Sequence, residues 1–134
     1  MPAKLELADD NNCFACGKRN PIGLKLEFVR EADEYVTYFT PAKQHQGWIG
    51  ITHGGLLNTV FDEVMVRDAW DRGLNAVTAE ITVRFKRPAE VGRRLRFAAR
   101  IESENGRIVE CSARATDHSG VLVAQAVGRL VRVE

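Results

Sequence analysis

A single stretch of helical periodicity, in a chain that otherwise alternates like strands, limits the folds open to this sequence. From Gly55 to about Arg72, apolar side chains recur at steps of three and four residues, and Gly73 supplies a C-terminal stop. The residues in this repeat are Leu57, Val60, Phe61, Val64 and Asp68. Because Leu56, Met65 and Val66 widen the apolar face, we expect other structure to cover this helix.

Alternating apolar and polar residues predict strands on both sides of the helix. The predicted strands are a segment beginning at Gly23, then residues 35–39, 77–85, 94–101, 108–115 and 121–133. Asn105-Gly106 is a strong signal for a two-residue hairpin turn, and residues 42–52 are predicted to be a loop. The expected fold class is α+β, with a curled antiparallel sheet of about six strands around one long central helix.

Length and composition indicate one soluble globular domain. The 134 residues are 45% hydrophobic and 28% charged, and the net charge of +1 gives no reason to expect a nucleic acid or membrane partner. We divide the chain into a lead-in, residues 1–22, and a main domain, residues 23–134. The first residues lack the apolar run of a signal peptide, and three cysteines is an odd number. We therefore expect a cytoplasmic protein.

The order of these elements and three motifs resemble the hotdog thioesterase superfamily, in particular the branch typified by phenylacetyl-CoA and 4-hydroxybenzoyl-CoA thioesterases. The most specific motif is GWIGITHGGLL at residues 47–57, followed by Phe61-Asp62-Glu63. A second is TVRFKRP at residues 82–88. The lead-in, with CFACG at residues 13–17 and NPIGL at residues 20–24, resembles an uncharacterised subgroup of the superfamily. The resemblance implies a hotdog fold and hydrolysis of an acyl-CoA thioester.

Physical chemistry gives the residues of the first motif roles in such a reaction. Gly54 and Gly55 lie where loop becomes helix, so their N–H groups can donate to the negative charge that develops on an acyl oxygen. Asp62 can orient or deprotonate water, or attack directly, and Asn58 one turn earlier can hydrogen-bond its carboxylate. The alternatives are that the glycines only serve packing and that Asp62 makes a structural hydrogen bond. The resemblance implies that Asp62 of one subunit works with the glycine loop of its partner.

Two neighbouring residues are rivals for the chemistry. Glu63 lies one turn before Arg67, a spacing typical of a solvated ion pair, so we favour a structural role for it. His53 is an attractive base, but the resemblance implies that its ring braces the loop.

The sequence departs from the resembled enzymes at one place. These often carry Asn or Gln six residues before the histidine to hold the water or the thioester oxygen, and here that residue is Gly47. Gln46 is the candidate to supply the amide, with His45 next to it. If no polar group fills this role, the chain is instead a non-catalytic acyl-CoA binding or sensor protein. A hotdog hydratase or dehydratase fits the spacing of His53 and the acid less well.

The expected ligand is an acyl-CoA, and no separate cofactor or metal is expected. Arg84, Lys86 and Arg87 are candidate contacts for the CoA phosphates, beside further arginines at positions 93, 94 and 96. The alternative is that these basic side chains only belong to a solvated face of the sheet, where such charges are common. The predicted acyl pocket is lined by Phe39, Trp48, Phe61 and Met65, which suits a small, an aromatic or a medium aliphatic acyl group.

Cys13 and Cys16 have the spacing of metal ligands. A structural zinc site needs four ligands and the sequence shows no second pair, so a packed turn is favoured, with zinc and a reversible thiol pair as alternatives. Cys111 shares the inward face of its strand and is predicted to be core.

The geometry also predicts self-association. A sheet that curls around one helix leaves edges to be covered, and residues 77–85 form a long regular strand. The resemblance implies a homodimer, or a dimer of dimers, with the active sites between protomers.

Overall fold

The computed structural model describes residues 5–133. Its elements are β1 (Phe28–Glu31), β2 (Glu34–Phe39), β3 (Gln46–Trp48), β4 (Ile51–Thr52), α1 (Gly54–Asp71), β5 (Ala76–Phe85), β6 (Leu95–Asn105), β7 (Ile108–Thr116) and β8 (Leu122–Arg132). Residues 1–4 of the predicted lead-in and residue 134 of the main domain lie outside the described residues.

The main sheet has six antiparallel strands in the order β1-β2-β6-β7-β8-β5, and α1 packs against it. This arrangement confirms the predicted α+β class and the curled sheet around one long helix. The predicted loop over residues 42–52 holds a second, two-stranded sheet of β3 and β4, which we did not predict. The predicted hairpin is confirmed, but its turn lies one residue later than predicted: Asn105 still pairs with Ile108, and the two turn residues are Gly106, with a φ of 62°, and Arg107.

The first strand begins later than predicted, at Phe28 instead of near Gly23. Lys25 has a φ of 54°, which breaks the extended conformation. The backbone N–H groups of Leu24 and Leu26 donate instead to the carbonyls of Phe14 and Ala15 in the lead-in, at 2.9 Å each. Residues 24 and 26 are more buried than residue 25, as the alternation predicted, but their backbone pairs with the lead-in and not with the sheet.

The helix buries the face that its periodicity predicted. Its buried residues are Leu57, Val60, Phe61, Val64, Met65, Asp68 and Ala69, and Gly73 follows its end with a φ of 83°. Asp68 is only 1% exposed. Its Oδ1 lies 2.7 Å from Arg30 Nη1 and 3.0 Å from Arg72 Nε, so an ion cluster ties β1 to the helix.

Strand β5 is an open edge of the sheet. It pairs with β8 along nearly its whole length from Ala76 to Phe85, and no strand within residues 5–133 pairs with its other side. An unpaired edge of this length presents free backbone N–H and C=O groups to another chain. Among these residues, no helix has the combination of length and hydrophobicity needed to cross a membrane.

Candidate functional site

The N-terminus of α1 offers one unpaired backbone donor. His53 is the N-cap, and its Nδ1 accepts from the Gly55 N–H at 2.9 Å. The Gly54 N–H has no acceptor within residues 5–133. Of the two predicted oxyanion donors, Gly54 is therefore free, whereas Gly55 is held by the cap and would have to release it.

The loop before the helix is packed around His53. The backbone N–H of His53 donates to the carbonyl of His45 at 2.8 Å. A Cβ atom at Gly47 would lie 3.3 Å from His53 Cα, so a side chain there would press on the cap. The departure at Gly47 thus has a packing reason. Gln46 is engaged nearby, since its Oε1 accepts from the Gly50 N–H at 3.2 Å.

Asp62 is half-buried on α1 and is bonded to the edge strand. Thr78 Oγ1 of β5 donates to Asp62 Oδ1 at 2.5 Å. Burial raises the pKa of Asp62 above its ordinary value, the Thr78 hydrogen bond lowers it in part, and the charge of Glu63 raises it. The predicted bond from Asn58 to Asp62 is not present within the described residues. A carboxylate with a raised pKa is suited to taking a proton.

Asp62 lines a cleft of about 340 Å³, which we call the Asp62 cleft. Its other residues are Leu7, Ala8, Asp9, Glu63, Val66, Arg67, Trp70, Ala76, Val77 and Thr78. Val66 and Trp70 follow Asp62 at steps of four, so they continue its helix face. The sequence analysis missed them as pocket residues, although this spacing was the signal that could have found them.

Gly54 lines a different cleft of about 490 Å³, the Gly54 cleft, with Trp48, Ile51, Thr52, Leu57, Phe85, Lys86, Arg87, Pro88 and Ala89. Two of the predicted phosphate contacts, Lys86 and Arg87, therefore lie beside Gly54. Arg84 does not join them, because it lines a groove on the sheet with Arg100, Arg114 and Val127. Trp48 is 81% exposed and stands at the mouth of the cleft.

Gly54 and Asp62 of one chain cannot act on the same carbonyl. They are eight residues apart on one helix, which corresponds to about 12 Å at the rise of an α-helix. The described chain thus carries two partial sites in separate clefts.

Three of the four residues predicted to line the acyl pocket lie in the core of the described chain. Phe61 is fully buried and its ring contacts Phe97 edge to face at 4.9 Å between centroids. Met65 and Phe39 are also buried in the core cluster. Large apolar residues on a central helix satisfy core packing as readily as a pocket, and the sequence does not separate the two.

Thr52 is a candidate that sequence analysis missed. It is 4% exposed and lines the Gly54 cleft, and its Oγ1 has no hydrogen-bond partner within residues 5–133. A buried hydroxyl without a partner is uncommon in a folded protein. It places an unused polar group beside Gly54.

The lead-in brings its two cysteines to the helix beside Asp62. Cys13 Sγ lies 3.3 Å from Glu63 Oε2. The predicted ion pair of Glu63 and Arg67 is confirmed at 3.4 Å, but Glu63 is only 12% exposed, whereas the prediction was a solvated pair.

The cysteines differ in their surroundings. Burial, together with the Glu63 carboxylate, raises the pKa of the Cys16 thiol. The predicted core position of Cys111 is confirmed.

Comparison with known proteins identifies the family of the chain. Residues 49–124, more than half of the chain, match the family described as the thioesterase superfamily. No protein with a curated description matches the sequence.

Solved structures share the fold at low sequence identity. The Escherichia coli PaaI protein from the phenylacetic acid degradation operon is 22% identical, with a TM-score of 0.76, covering 81% of this chain and 84% of that chain. A hypothetical thioesterase from Streptococcus pneumoniae TIGR4, solved with coenzyme A, is 18% identical, with a TM-score of 0.75 and coverage of 80% and 84%. AziG of S. sahachiroi is 29% identical, with a TM-score of 0.73 and coverage of 83% and 93%.

Proposed function

The chain belongs to the thioesterase superfamily, and on this basis we propose that it hydrolyses acyl-CoA thioesters as a homodimer, with Asp62 as base or nucleophile. The observation that carries the proposal is the environment of Asp62. Its carboxylate lies in a largely apolar cleft, accepts from Thr78, and has a raised pKa. A partly buried carboxylate is costly unless it is paired or functional, and the single bond from Thr78 leaves its other oxygen for the reaction.

The proposed site is completed by a second protomer. The open edge of β5 pairs with its symmetry mate, which extends the sheet across the dimer. Thr78, the partner of Asp62, lies on that edge strand. Such a pairing brings the Asp62 cleft of one chain to the Gly54 cleft of the other, and so overcomes the separation of about 12 Å along one helix. Pairing of dimers into tetramers is a further possibility of the proposed assembly.

The chemistry then divides between the two chains. The Gly54 N–H at the helix N-terminus donates to the thioester oxygen as negative charge builds on it. In one route, Asp62 of the other chain takes a proton from a water that attacks the carbonyl carbon. The C–S bond then breaks, and Asp62 returns the proton to the leaving sulfur, which releases CoA and a carboxylic acid. In the other route, the carboxylate attacks the carbonyl carbon and the C–S bond breaks to release CoA, and water then hydrolyses the mixed anhydride to free the carboxylic acid and restore Asp62. The imidazole of His53 holds the cap rather than the reacting atoms.

The missing amide at Gly47 has a proposed replacement in Thr52. Thr52 lines the cleft beside Gly54 and its buried hydroxyl lacks a partner within residues 5–133, so a side-chain rotation that turns the hydroxyl into the cleft would let it orient water or the thioester oxygen. Gln46 stays a candidate only if its side chain leaves the Gly50 N–H. Asn58 lies one turn before Asp62 on the helix, and a hydrogen bond from its amide to the Asp62 carboxylate stays a proposal that also requires a side-chain movement.

The substrate is proposed to lie across both clefts. Lys86 and Arg87 contact the CoA phosphates beside Gly54, and Trp48 covers the mouth of that cleft. The acyl group enters the partner's Asp62 cleft, where Val66, Trp70 and Val77 form an apolar lining. This lining suits a small, an aromatic or a medium-chain acyl group.

A second candidate function is non-catalytic acyl-CoA binding. The engaged side chain of Gln46 and the glycine at position 47 favour it, because the familiar water-holding amide is absent. It predicts ligand binding without turnover above background.

Hydrolysis of a panel of short, aromatic and medium-chain acyl-CoAs by wild type and Asp62→Asn separates these functions. We expect wild-type turnover of at least one ester and a loss of about 10²–10⁴-fold in the variant. The matched control is Asp71→Asn on the same helix, whose carboxylate pairs with Arg30 at 2.7 Å, and it should retain activity. Equal rates for Asp62→Asn and wild type would overturn the assignment, whereas tight binding with no turnover by wild type would establish the binding function.

A further inference from the structure

We propose that Cys13, Cys16 and Glu63 form a binding site for a thiophilic divalent cation, with zinc as the primary candidate. One ligand atom from each of the three residues lies within 4.8 Å of the other two. The sequence analysis found only two ligands, since Glu63 is 50 residues from Cys13 and appeared to belong to an ion pair. The fold supplies the third. This site does not depend on the proposed hydrolysis.

The cysteine turn is built to hold both sulfurs on one side. Cys13 Sγ accepts from the backbone N–H of Cys16 at 3.5 Å, and the carbonyl of Cys13 accepts from the Gly17 N–H at 2.8 Å. A Cβ atom at Gly17 would collide with the backbone of Asn11 and Cys13, so the turn requires glycine there.

The third ligand is held by its neighbours. Arg67 Nε lies 3.4 Å from Glu63 Oε2, and Arg67 Nη2 lies 3.3 Å from Asp9. Two thiolates and one carboxylate around a divalent cation leave a net charge of about −1, which Arg67 offsets. An outer residue that bonds a ligand carboxylate is the usual support of a metal site.

Softness of the ligands selects the metal. Two thiolates favour Zn²⁺ over Mg²⁺ or Ca²⁺, which prefer oxygen, and zinc accepts carboxylate as a further ligand. Zinc sites with three protein ligands complete a tetrahedron with water. Bound there, the cation would fasten the lead-in to α1 at the residue next to Asp62.

Metal binding by the reduced, purified protein is the direct test. We expect one Zn²⁺ per chain in competition with a chromophoric chelator, and Co²⁺ substitution should give thiolate-to-cobalt charge-transfer absorption. Cys13→Ser and Cys16→Ser should each lower zinc affinity more than about 100-fold, since outer residues alone account for about 10–100-fold. Glu63→Gln should lower it less, because a neutral amide is a weaker ligand.

Cys111→Ala is the matched control, because this third cysteine is buried in the sheet and should leave binding unchanged. Circular dichroism of each variant distinguishes loss of a ligand from loss of the fold. Stoichiometry unchanged in both Cys13→Ser and Cys16→Ser would overturn the site. So would absence of the cobalt absorption in folded wild type. Recovery of a Cys13–Cys16 disulfide from protein purified with zinc would show a redox pair and also overturn it.

Discussion

Thr78 Oγ1 donates to Asp62 Oδ1 at 2.5 Å, and this one bond joins the central helix to the open edge of the sheet. It also stabilises the charged form of a carboxylate whose pKa burial has raised. The pH dependence of the proposed reaction should therefore respond to Thr78.

Thr78→Val should move the acidic limb of kcat/KM to higher pH. The wild-type limb is expected above the ordinary aspartate pKa of about 3.9, because Asp62 must be deprotonated and its pKa is raised. Loss of the Thr78 bond raises this pKa further, so activity appears only at still higher pH. A pH–rate profile measures the shift, and Thr82→Val on the same strand is the control. An unmoved limb would mean that another group sets it.

The same raised pKa has a consequence for stability. A carboxyl whose folded-state pKa is raised favours folding while it is protonated, and this contribution is lost as pH rises through the folded-state pKa. Asp62→Asn, inactive by proposal, should therefore be at least as stable as wild type at pH 7.

Gly54→Pro tests the backbone donor with little change in structure. Proline is favoured in the first turn of a helix, and His53 already has the extended conformation, φ −61° and ψ 128°, that precedes proline. The substitution removes one N–H group, so kcat should fall about 10²–10³-fold. Gly54→Ala keeps that N–H, and its methyl group meets only the end of the exposed Phe85 ring at 3.3 Å. Equal activity of the two variants would exclude the Gly54 N–H from the reaction.

Hybrid dimers test whether the site is shared. In a mixture of Asp62→Asn and Gly54→Pro chains, a mixed dimer has one site with both changes and one with neither. With random exchange, about a quarter of wild-type activity should return, although each variant alone is inactive. Mixing with unfolding and refolding ensures exchange. No recovery, in chains that light scattering shows to have exchanged, would place both residues in the same chain's site or outside it.

Thr52→Val should lower activity without lowering stability, although most substitutions of buried residues destabilise a protein. The Thr52 hydroxyl is buried without a partner, so its removal should leave the free energy of unfolding unchanged or raise it by up to about 1 kcal/mol. Activity should fall about tenfold if the hydroxyl orients water. Thr37→Val is the contrast: its hydroxyl donates to the Glu27 carbonyl at 2.7 Å, so stability should drop by about 1–2 kcal/mol. Full activity in Thr52→Val would remove it from the mechanism.

Arg30→Met should destabilise the fold through the helix. Arg30 pairs with the buried Asp68, and its loss leaves that carboxylate with Arg72 alone. We expect a loss of about 3 kcal/mol in urea unfolding. Arg100→Met, which removes an exposed pair with Asp33, should cost less than about 1 kcal/mol. Similar losses in both variants would contradict the special role of Asp68.

The sequence was sufficient to predict the helix and the long strands, because their apolar residues repeat with the spacing of a helix or of a strand over enough residues to tell the two apart. The predicted helix from Gly55 to about Arg72 differs from α1 by one residue at each end. Strands β3 and β4 have three and two residues, which is too short for a period to show.

The parts of the site that sequence analysis missed are contacts between distant residues. Thr78 meets Asp62 across 16 residues, and Cys13 meets Glu63 across 50. Periodicity reports which face of an element is apolar, but not which polar residues of two elements meet. The same limit explains Phe61, whose apolar character fits a core and a pocket equally well.

The pairing of the lead-in with residues 24 and 26 decides how this protein can be shortened. A recombinant fragment that begins at Gly23, where the sequence suggests a boundary, would lose the carbonyls of Phe14 and Ala15 that accept from Leu24 and Leu26. It would also lose Ala15 itself, which is buried in the core cluster. A fragment that retains these contacts and the cysteine turn must start at or before Asn11, whose carbonyl accepts from the Arg19 N–H. What looks like an N-terminal extension is therefore an integral part of the folding unit.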